Sequence, residues 1–478
     1  MSPQKDTDIS DTIVAQSTPV GEGAIGIVRL SGPKSRDILQ KIFRGSAQVD
    51  QFESHKLYFG KIVSNRFSLP PVVPLTKGDK TEEVLDQVMA VWMKSPHSFT
   101  GEEMVEIQGH GGILLLQNIL KLLVELGARL AEPGEFSKRS FLNGKIDLTQ
   151  AEAIADLIHA KSDWEAKNAL SQLGGALSVT ITNIREKLIT FLARVEVGFD
   201  FSEEDIKPSN PNQSITFLKE ICGEVEILVD SFQTGQLYKD GLRVALIGRP
   251  NVGKSSLLNT LLNEDRAIVH HEPGTTRDVV AGEKKLSGII TTFFDTAGIR
   301  KTSQSVEVAG IERSRLVLEK SDLVLLLLDS SQPLTDEDQT LLKEIHSKPS
   351  IIIYSKCDLP PAWKPDSKIV ASFRLVKVSS RERIGIKELE NEIYELLIKE
   401  KLPNSHNYVL NNVRYYKVLQ EIHHKLKEVI ELIGKKELGD DCLAEELRIM
   451  SNQLGGITGK ITNEMVLDEI FQKFCIGK

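Results

Sequence analysis

Apolar residues are arranged along this chain in two kinds of pattern. The first is a short run, either continuous or alternating with polar residues, as at 242–247 and 323–328. Such runs are typical of strands that bury one or both faces. They predict strands at 25–30, 88–92, 104–108, 242–247, 289–294, 323–328 and 350–354, and a further strand that ends at Val378.

The second pattern places apolar residues three and four positions apart, which is typical of amphipathic helices. Ile154, Leu157 and Ile158 follow this spacing, and Thr149 with Glu152 fits a capping box at the start of that helix. The pattern predicts helices at 112–126, 214–238, 415–433, 442–453 and 464–474. It also predicts a helix from about 149 that is broken at Gly174-Gly175 and a second helix that continues to about Gly198.

The order of these elements predicts a multidomain α/β and α fold. At 478 residues, the length suggests about three domains. We expect an N-terminal α/β domain at 1–145, a discontinuous all-α domain at 146–240 and 402–478, and an inserted Ras-like P-loop domain at 241–401. The proline-containing stretch 51–80 is interpreted as a loop or surface insertion.

The strongest local motif is Gly248-Arg-Pro-Asn-Val-Gly253-Lys254-Ser255, which fits G-x-x-x-x-G-K-[ST]. Its glycines let the backbone wrap around phosphates, and the N-terminus of the following helix faces the anion. Lys254 would contact the β- and γ-phosphates and have a catalytic role, and Ser255 would bind Mg²⁺. A chance match in a loop is the alternative, but the required strand and helix flank the motif. The nucleotide residues of this segment are Asn251, Val252, Gly253, Lys254, Ser255 and Ser256.

Four later motifs follow in the order expected of a GTPase. In Gly274-Thr-Thr-Arg-Asp278, a Thr hydroxyl, assigned to Thr276, would complete the Mg²⁺ shell. Asp295-Thr-Ala-Gly298 ends a strand and would meet Mg²⁺ through water and the γ-phosphate. Asp358, after Ser355-Lys356-Cys357, would accept two hydrogen bonds from guanine, which adenine cannot donate. The fourth motif, Ser379-Ser380-Arg381, follows the strand that ends at Val378 and is suited to backing the base. The remaining GTP contacts would be Thr275, Thr276, Asp295, Thr296, Ala297, Gly298, Lys356, Ser379, Ser380 and Arg381.

Composition narrows the choice of class. The net charge of −8 excludes a generic polyanion binder, and the longest apolar run is too short to span a bilayer. The polar N-terminus lacks the pattern of a signal or transit peptide. Four widely spaced cysteines show no metal-ligand spacing and indicate a reducing compartment, so we expect a cytoplasmic protein. Two other matches, G-x-G-x-x-G at 21–26 and a terminal prenylation box at Cys475, lack the required context and are rejected.

With these residues identified, the whole chain resembles the MnmE (TrmE) family of tRNA-modification GTPases. The resemblance runs from Asp11-Thr-Ile-Val-Ala-Gln16 to Phe474-Cys-Ile-Gly-Lys478. Between them lie Ser98-Phe-Thr-Gly-Glu102, Gly109-His-Gly-Gly112, Glu132-Pro-Gly-Glu-Phe136 and Gln150-Ala-Glu-Ala-Ile-Ala-Asp156.

The resemblance implies a folate-binding, dimerising N-terminal domain and joint action with an FAD-containing flavoprotein, MnmG, as a heterotetramer. The pair would place a 5-carboxymethylaminomethyl-type group on the wobble uridine (U34) of certain tRNAs, with methylene-tetrahydrofolate as the one-carbon donor and 5-formyl-tetrahydrofolate as its analogue. The implied folate residues are Arg29, Glu106, Lys145 and Lys478. An exposed strand position is the alternative for Glu106. Cys475 would be either a nucleophile or a buried or folate-proximal thiol.

Several positions depart from the patterns of related GTPases. Ser355 stands where the guanine motif N-K-x-D has asparagine, and we expect it to be too short to span the same distance. Ser380 replaces an alanine, and His270-His-Glu-Pro273 departs from a common T-D-x-A pattern. Ile299 follows Gly298, so the water-orienting Gln of Ras-like enzymes is absent. Glu307 matches the family's water-orienting glutamate, and a solvated switch residue is the alternative. We expect K⁺ to replace an arginine finger, bound by Asn251 and by the His270–Thr275 loop, with His270, Glu272 and Thr275 as its residues.

Two other functions are considered. A ribosome-assembly GTPase switch would need an RNA-binding module, and the acidic C-terminal helices offer none. A folate-dependent aminomethyltransferase with a vestigial GTPase domain is disfavoured by the intact Lys254, Ser255 and Asp295.

Overall fold

A computed structural model describes most of the chain and divides it into two compact units. The described residues are 11–45, 47–64, 82–200, 211–263, 280–286, 288–295, 321–365, 372–397, 409–461 and 464–477. The first unit comprises 1–158, 172–185 and 451–478, and the second comprises 159–171 and 186–450. Among the described residues, no helix combines the length and apolar character that a membrane crossing requires.

The first unit is built on a seven-stranded sheet with the order β3-β4-β5-β6-β2-β1-β7. Its pairs are antiparallel except β1 with β7, which is parallel. The strands are β1 Ile13–Gln16, β2 Gly23–Ser31, β3 Phe43–Gly45, β4 Leu57–Ser64, β5 Glu83–Met93, β6 Met104–Gly111 and β7 Arg129–Leu130. Its helices include α1 Ser35–Ile42, α2 Ile113–Glu125 and α3 Glu135–Leu142.

The two faces of this sheet carry different side chains. On one face, Val28, Leu30 and Val105 pack with residues of α1 and α2 in the main core. On the other, Ala15 and Phe136 belong to a smaller cluster at α3. Alternation along β2 therefore sends Val28 and Leu30 into the core and Arg29 to the face covered by α3.

The three strands predicted for this sheet and the helix predicted at 112–126 agree with the structure. Residues 23–26 of the G-x-G-x-x-G match lie in β2, where a dinucleotide site would need a turn and a helix, which confirms the rejection of this match. The interpretation of 51–80 as a loop is wrong for 57–64, which form β4 and pair with β5. Residues 65–81 lie outside the described ranges.

Five further helices are described outside the two sheets. They are α4 Leu148–His159, α5 Asp163–Leu173, α6 Ala176–Asp200, α7 Pro211–Asp240 and, after the nucleotide-binding sheet, α11 Val413–Lys435. The predicted capping box at Thr149 and Glu152 is wrong. Asp147 Oδ1 accepts the Gln150 N–H at 2.9 Å, and Gln150 Oε1 accepts the Asp147 N–H at 2.9 Å, because α4 begins at Leu148. The reciprocal bonds of a capping box are thus made by Asp147 and Gln150.

The last two helices are α12 Asp440–Thr458 and α13 Glu464–Phe471. The expectation that Gly455-Gly456 separates helices is wrong, because α12 continues through both. A Cβ on Gly455 would lie 3.0 Å from Ile461 Cδ1, so the glycine permits close packing there.

The second unit contains a six-stranded sheet with the order β13-β12-β11-β8-β10-β9. Five strands are parallel, and β9 is an antiparallel edge. The strands are β8 Leu242–Ile247, β9 Val280–Leu286, β10 Ile289–Asp295, β11 Leu323–Asp329, β12 Ser350–Ser355 and β13 Arg374–Val378. The helices of this part are α8 Lys254–Asn263, α9 Asp336–Glu344 and α10 Ile386–Leu397.

The helices on either side of this sheet in the chain contact each other. Phe232 of α7 and Tyr416 of α11 stack with ring centroids 4.0 Å apart. Shortly before α11, the backbone of Val409 exchanges two hydrogen bonds with the Asn168 side chain of α5, at 2.9 and 3.0 Å. These contacts join helices that precede the sheet in the chain to residues that follow it.

Candidate nucleotide-binding site and N-terminal ion-pair site

The predicted phosphate-binding loop lies between β8 and α8. Three of its residues adopt positive φ: Gly248 at 147°, Asn251 at 66° and Gly253 at 106°. A Cβ on Gly248 would lie 2.6 Å from Leu327 O, so only glycine fits there. Lys254 is buried, and its ammonium group donates to the loop carbonyls of Gly248 at 2.5 Å and Arg249 at 2.7 Å. The loop backbone thus surrounds the Lys254 ammonium group at the N-terminus of α8. A loop of this geometry can bind a phosphate chain.

A buried ion pair anchors this loop to α9. Arg249 Nε lies 2.9 Å from Asp338 Oδ1, and the Asp338 side chain is 0% exposed. Asp338 is also the third residue of α9, where it makes a capping box with Thr335. One carboxylate therefore both starts a helix and holds the phosphate-binding loop.

Ser355 connects the loop to the strand of the guanine motif. Its hydroxyl lies 2.9 Å from Val252 O and 3.0 Å from Leu328 O. The expectation that serine is too short to span from β12 is therefore wrong for the contact with the loop, because β12, β11 and the loop approach closely there. The hydroxyl proton can serve only one of these two carbonyls at a time, so none remains for a nucleotide.

The base-recognition residues gather at the ends of β12 and β13. Asp358 is exposed just past β12, and a hydrogen bond from Ser379 is the main cause that holds the pKa of its carboxyl below the usual value. Arg381 and Lys356 add electrostatic stabilisation of the charge. The Ser380 carbonyl accepts the Thr260 hydroxyl of α8 at 3.3 Å, which ties this edge to the helix of the phosphate loop.

In the first unit, two predicted folate residues contact each other. Arg29 and Glu106 are directly opposite on β2 and β6. Arg29 Nε donates to Glu106 Oε1 at 2.8 Å, and both side chains are less than one-fifth exposed, at 18% and 17%. The Arg29 guanidinium lies 5.9 Å from the centroid of the Phe136 ring. The pair therefore forms a polar site on the face of the sheet that α3 covers.

A second ion network holds α3 against this face. Arg139 is buried and binds Glu135, Glu102 and Asp11. Burial alone would raise the pKa of Glu135, but hydrogen bonds from Arg129, from the Glu132 backbone and from Arg139 outweigh it and lower the pKa. The segment 132–136 is thus fixed by charge pairing beside the Arg29–Glu106 pair.

The C-terminal tail packs against the same end of the sheet. The Ser17 hydroxyl donates to Gly477 O at 3.4 Å, and the Gly134 N–H donates to Cys475 O at 3.4 Å. Gly477 has φ of 94°, and a Cβ there would lie 2.2 Å from Gln16 O, so the tail needs glycine to approach β1. Cys475 is exposed.

Lys145 also belongs to the first unit. It donates to Pro96 O at 3.0 Å and lines a depression of about 370 Å³ together with Asp147, Gln150 and Lys460. Arg29 and Glu106 are not among the residues of this depression. The structure therefore brings Arg29 and Glu106 into contact, whereas Lys145 lines a depression that does not include them.

Comparison with known proteins supplies the family. A family model for the MnmE helical domain matches residues 148–475, and one described as GTP-binding protein TrmE N-terminus matches 12–145. The tRNA modification GTPase MnmE of Alkaliphilus oremlandii is 40% identical over 474 residues, which cover 98% of this chain and 100% of that protein. The protein of the same name from Aquifex aeolicus is 41% identical over 468 residues, with the same coverage.

The chain belongs to the MnmE family of tRNA modification GTPases. The resemblance inferred from the sequence motifs is thereby confirmed, and the chain is a GTP hydrolase that acts in tRNA modification. Among solved structures, the G domain of the T. maritima FeoB iron transporter is 30% identical, covers 32% of this chain and 98% of its own, and gives a TM-score of 0.25.

Several of the predicted MnmE-type site residues lie outside the described ranges. They are Thr275, Thr276, Thr296, Ala297, Gly298, Glu307, His270, Glu272 and Lys478. The backbone of Asp295 ends β10, which is parallel to β8 and its neighbour in the sheet. The assignments of these residues stay predictions.

Sequence reasoning missed the residues that support the nucleotide site. Arg249 and Asp338 are 89 positions apart, and nothing local marks them as partners. Asp329 was also missed, although a signal existed: it directly follows the apolar run 323–328, at the same edge of a parallel sheet as Asp358.

Proposed function

We propose that this chain hydrolyses GTP to drive 5-carboxymethylaminomethyl-type modification of the wobble uridine of certain tRNAs. The observation that carries the proposal is a complete phosphate-binding loop tied through Ser355 to a guanine-type strand, in a chain of this family. The reaction would use GTP and Mg²⁺, with Ser255 and Thr276 as magnesium ligands. Ser255 is exposed at the start of α8, where a hydroxyl ligand can reach a cation beside bound phosphates.

The guanine base would bind at Asp358, a charged acceptor at neutral pH whose pKa lies below its usual value. Two N–H groups of guanine can donate to this carboxylate, whereas the edge of adenine presents a different pattern. Ser379, Ser380 and Arg381 would back the base from the end of β13.

We also propose that the Arg29–Glu106 pair binds a tetrahydrofolate, whose 5,10-methylene form supplies the one-carbon unit. A pterin ring donates N–H groups to a carboxylate, and the acidic tail of folate needs a cation. Glu106 and Arg29 offer both on one face of the sheet, and the tail residue Gly477 lies against Gln16 and Ser17 of the adjacent strand segment. Lys145 and Lys478 remain proposed ligands for the acidic end.

The folate proposal predicts that Glu106→Gln weakens binding of 5-formyl-tetrahydrofolate by roughly tenfold or more, the loss expected for a charged hydrogen-bond partner. GTP hydrolysis stays near the unchanged level, because the pair lies in the other compact unit. Titration calorimetry measures the affinity. Glu125→Gln, an exposed position on α2, is the matched control. Equal affinities for Glu106→Gln and the unchanged protein would remove Glu106 from the folate site.

The partners would be a second copy of this chain, an FAD-containing MnmG-type flavoprotein and tRNA, in a cytoplasmic heterotetramer. The net charge of −8 favours a partner that binds the tRNA, because an acidic chain gains little affinity for tRNA from its own overall charge. The flavoprotein would then supply much of the tRNA-binding surface.

Mass spectrometry of wobble uridines in a deletion strain tests the function as a whole. We expect C5-unmodified uridine in the deletion strain, full modification on complementation with this chain, and none with Lys254→Ala, because that lysine is needed at the phosphates. Normal modification together with defective ribosome assembly in the deletion strain would favour the ribosome-assembly switch instead.

A further inference from the structure

Asp329 ends β11 beside the guanine-recognition segment. Its side chain is only 2% exposed, and its Oδ2 lies 2.7 Å from the Nζ of Lys356. Lys356 is 34% exposed, so the pair joins a buried carboxylate to an ammonium group at the surface of the site. This contact fixes the position of the Lys356 ammonium group.

The backbone of Lys356 is fixed as well. Its carbonyl accepts the Ser330 hydroxyl at 3.1 Å and the Leu359 N–H at 3.0 Å. Its φ is 57°, a conformation that costs a non-glycine residue free energy and needs such support. Ser330 N–H also donates to Ser355 O at 3.0 Å. The turn 356–359, which carries Asp358, is therefore held by the two residues that follow Leu328.

The far side of the same loop is attached to the same two residues. Trp363 Nε1 donates to Asp329 O at 2.9 Å, and Ala362 N–H donates to Ser330 O at 2.8 Å. Asp329 and Ser330 thus contact the loop at both of its ends, while Asp358 itself is exposed between them.

The Asp329 carboxylate is charged at neutral pH. Burial by itself would raise its pKa, but hydrogen bonds from Lys356 and from the hydroxyl and N–H of Ser331 outweigh burial and lower the pKa. A charged carboxylate binds an ammonium group more strongly than a neutral amide of the same shape can. The contact with Lys356 therefore depends on the charge of Asp329.

We propose that Asp329 is a positioning residue for guanine specificity, which holds Lys356 and thereby the turn that presents Asp358 to the base. The proposal rests on the base contact of Asp358 proposed above. Asp329 would not touch the nucleotide, and the phosphate end of the site is anchored separately through Arg249 and Asp338. Loss of the Asp329 charge should therefore lower both the affinity for the guanine base and the preference for guanine, without changing the rate of the chemical step.

Asp329→Asn tests this inference. We expect the Kd for GDP to rise about tenfold, the effect of one lost charge-assisted hydrogen bond. We expect the preference for GDP over IDP, which lacks the 2-amino group, to fall roughly fivefold, because one of two hydrogen bonds to Asp358 is weakened. The kcat at saturating GTP should stay within about twofold while KM rises, the pattern of lost uniform binding.

Asp322→Asn is the matched control. Asp322 precedes the opposite end of β11 and accepts the Arg243 N–H at 2.9 Å, a bond that an asparagine oxygen retains. We expect its GDP and IDP affinities to equal those of the unchanged chain. Asp329→Asn in a Lys356→Met background should add little, since Asp329 acts through Lys356.

The outcomes separate this inference from the base contact on which it rests. An unchanged GDP-to-IDP ratio in Asp329→Asn, with a ratio that collapses in Asp358→Asn, overturns only the role of Asp329. An equal loss of GDP and IDP affinity would make Asp329 a merely structural residue and also overturn it. An unmutated chain that binds GDP and IDP equally would refute the Asp358 contact itself.

Discussion

Asp338→Ala is expected to destabilise the nucleotide-binding sheet by about 3–5 kcal/mol, the cost of leaving one partner of a buried ion pair without the other. The Asp338 side chain is fully buried, and Arg249 is 16% exposed. The substitution also removes the capping box with Thr335 that starts α9. Hydrogen exchange of peptides from β8 and β11 in increasing urea measures the change locally, which a two-unit chain requires.

Two further variants separate the contributions of Asp338. Asp338→Asn keeps an oxygen for the Thr335 N–H but loses the charge opposite Arg249, so its effect reports mainly the ion pair. Glu337→Ala, an exposed neighbour in the same helical turn, changes the helix end alone and should cost less than about 1 kcal/mol. If Asp338→Ala proved no worse than Glu337→Ala, the ion pair would not anchor the phosphate-binding loop.

The predictable part of the nucleotide domain came from strongly patterned segments. The strand at Leu242–Ile247 matched the prediction because an apolar run enters directly into a glycine-rich turn. The strand predicted at 323–328 is one residue longer in the structure, where it ends at Asp329. Parallel strands buried on both faces give such continuous runs, so their positions are readable from one sequence.

The missed elements carry weaker local signals. The strand Leu57–Ser64 has exposed apolar residues at Leu57 and Phe59 and follows a segment without clear alternation. The helix Asp440–Thr458 passes through two glycines that sequence rules treat as breakers. There, packing against Ile461 outweighs the low helix propensity of Gly455.

The order of the GTPase motifs predicted which strand ends form the site, but not how those ends are held together. Asp358 and Lys254 belong to recognisable motifs. Arg249–Asp338 and Asp329–Lys356 join segments that are far apart in sequence, and their partners are decided only by the strand order of the sheet. Long-range charge pairs of this kind leave no periodic signal in a single sequence.

The second large effect is expected from the cation that supports hydrolysis. Ile299 stands where Ras-like enzymes place a water-orienting Gln, and an arginine finger in such enzymes contributes about 10³–10⁵ in kcat. We expect K⁺ to supply part of that charge, held by Asn251 and by oxygens between His270 and Thr275. Replacing K⁺ with Na⁺ at matched ionic strength should lower kcat at least about tenfold if K⁺ takes over even a small part of the finger's contribution.

Asn251 is exposed, lies between Pro250 and the buried Val252, and has φ of 66°; we predict that its side-chain oxygen binds the cation. Asn251→Ala should abolish the K⁺ stimulation but keep GTP binding, since Lys254 and Asp358 remain. Alanine is strained at positive φ, so Asn251→Gly, which fits that backbone, must give the same loss. Asn259→Ala, on the exposed side of α8, should leave the stimulation unchanged.

Glu307→Ala separates charge from water positioning. If Glu307 orients the attacking water, its loss should slow hydrolysis while K⁺ still promotes association of two nucleotide-bound chains, measured by light scattering with a GTP analogue. Equal turnover of the unmutated protein in Na⁺ and K⁺ would eliminate the cation from the mechanism. Retained K⁺ stimulation in both Asn251 variants would instead show that no side chain between Gly248 and Gly253 binds the cation, because Asn251 carries the only side-chain oxygen in that stretch.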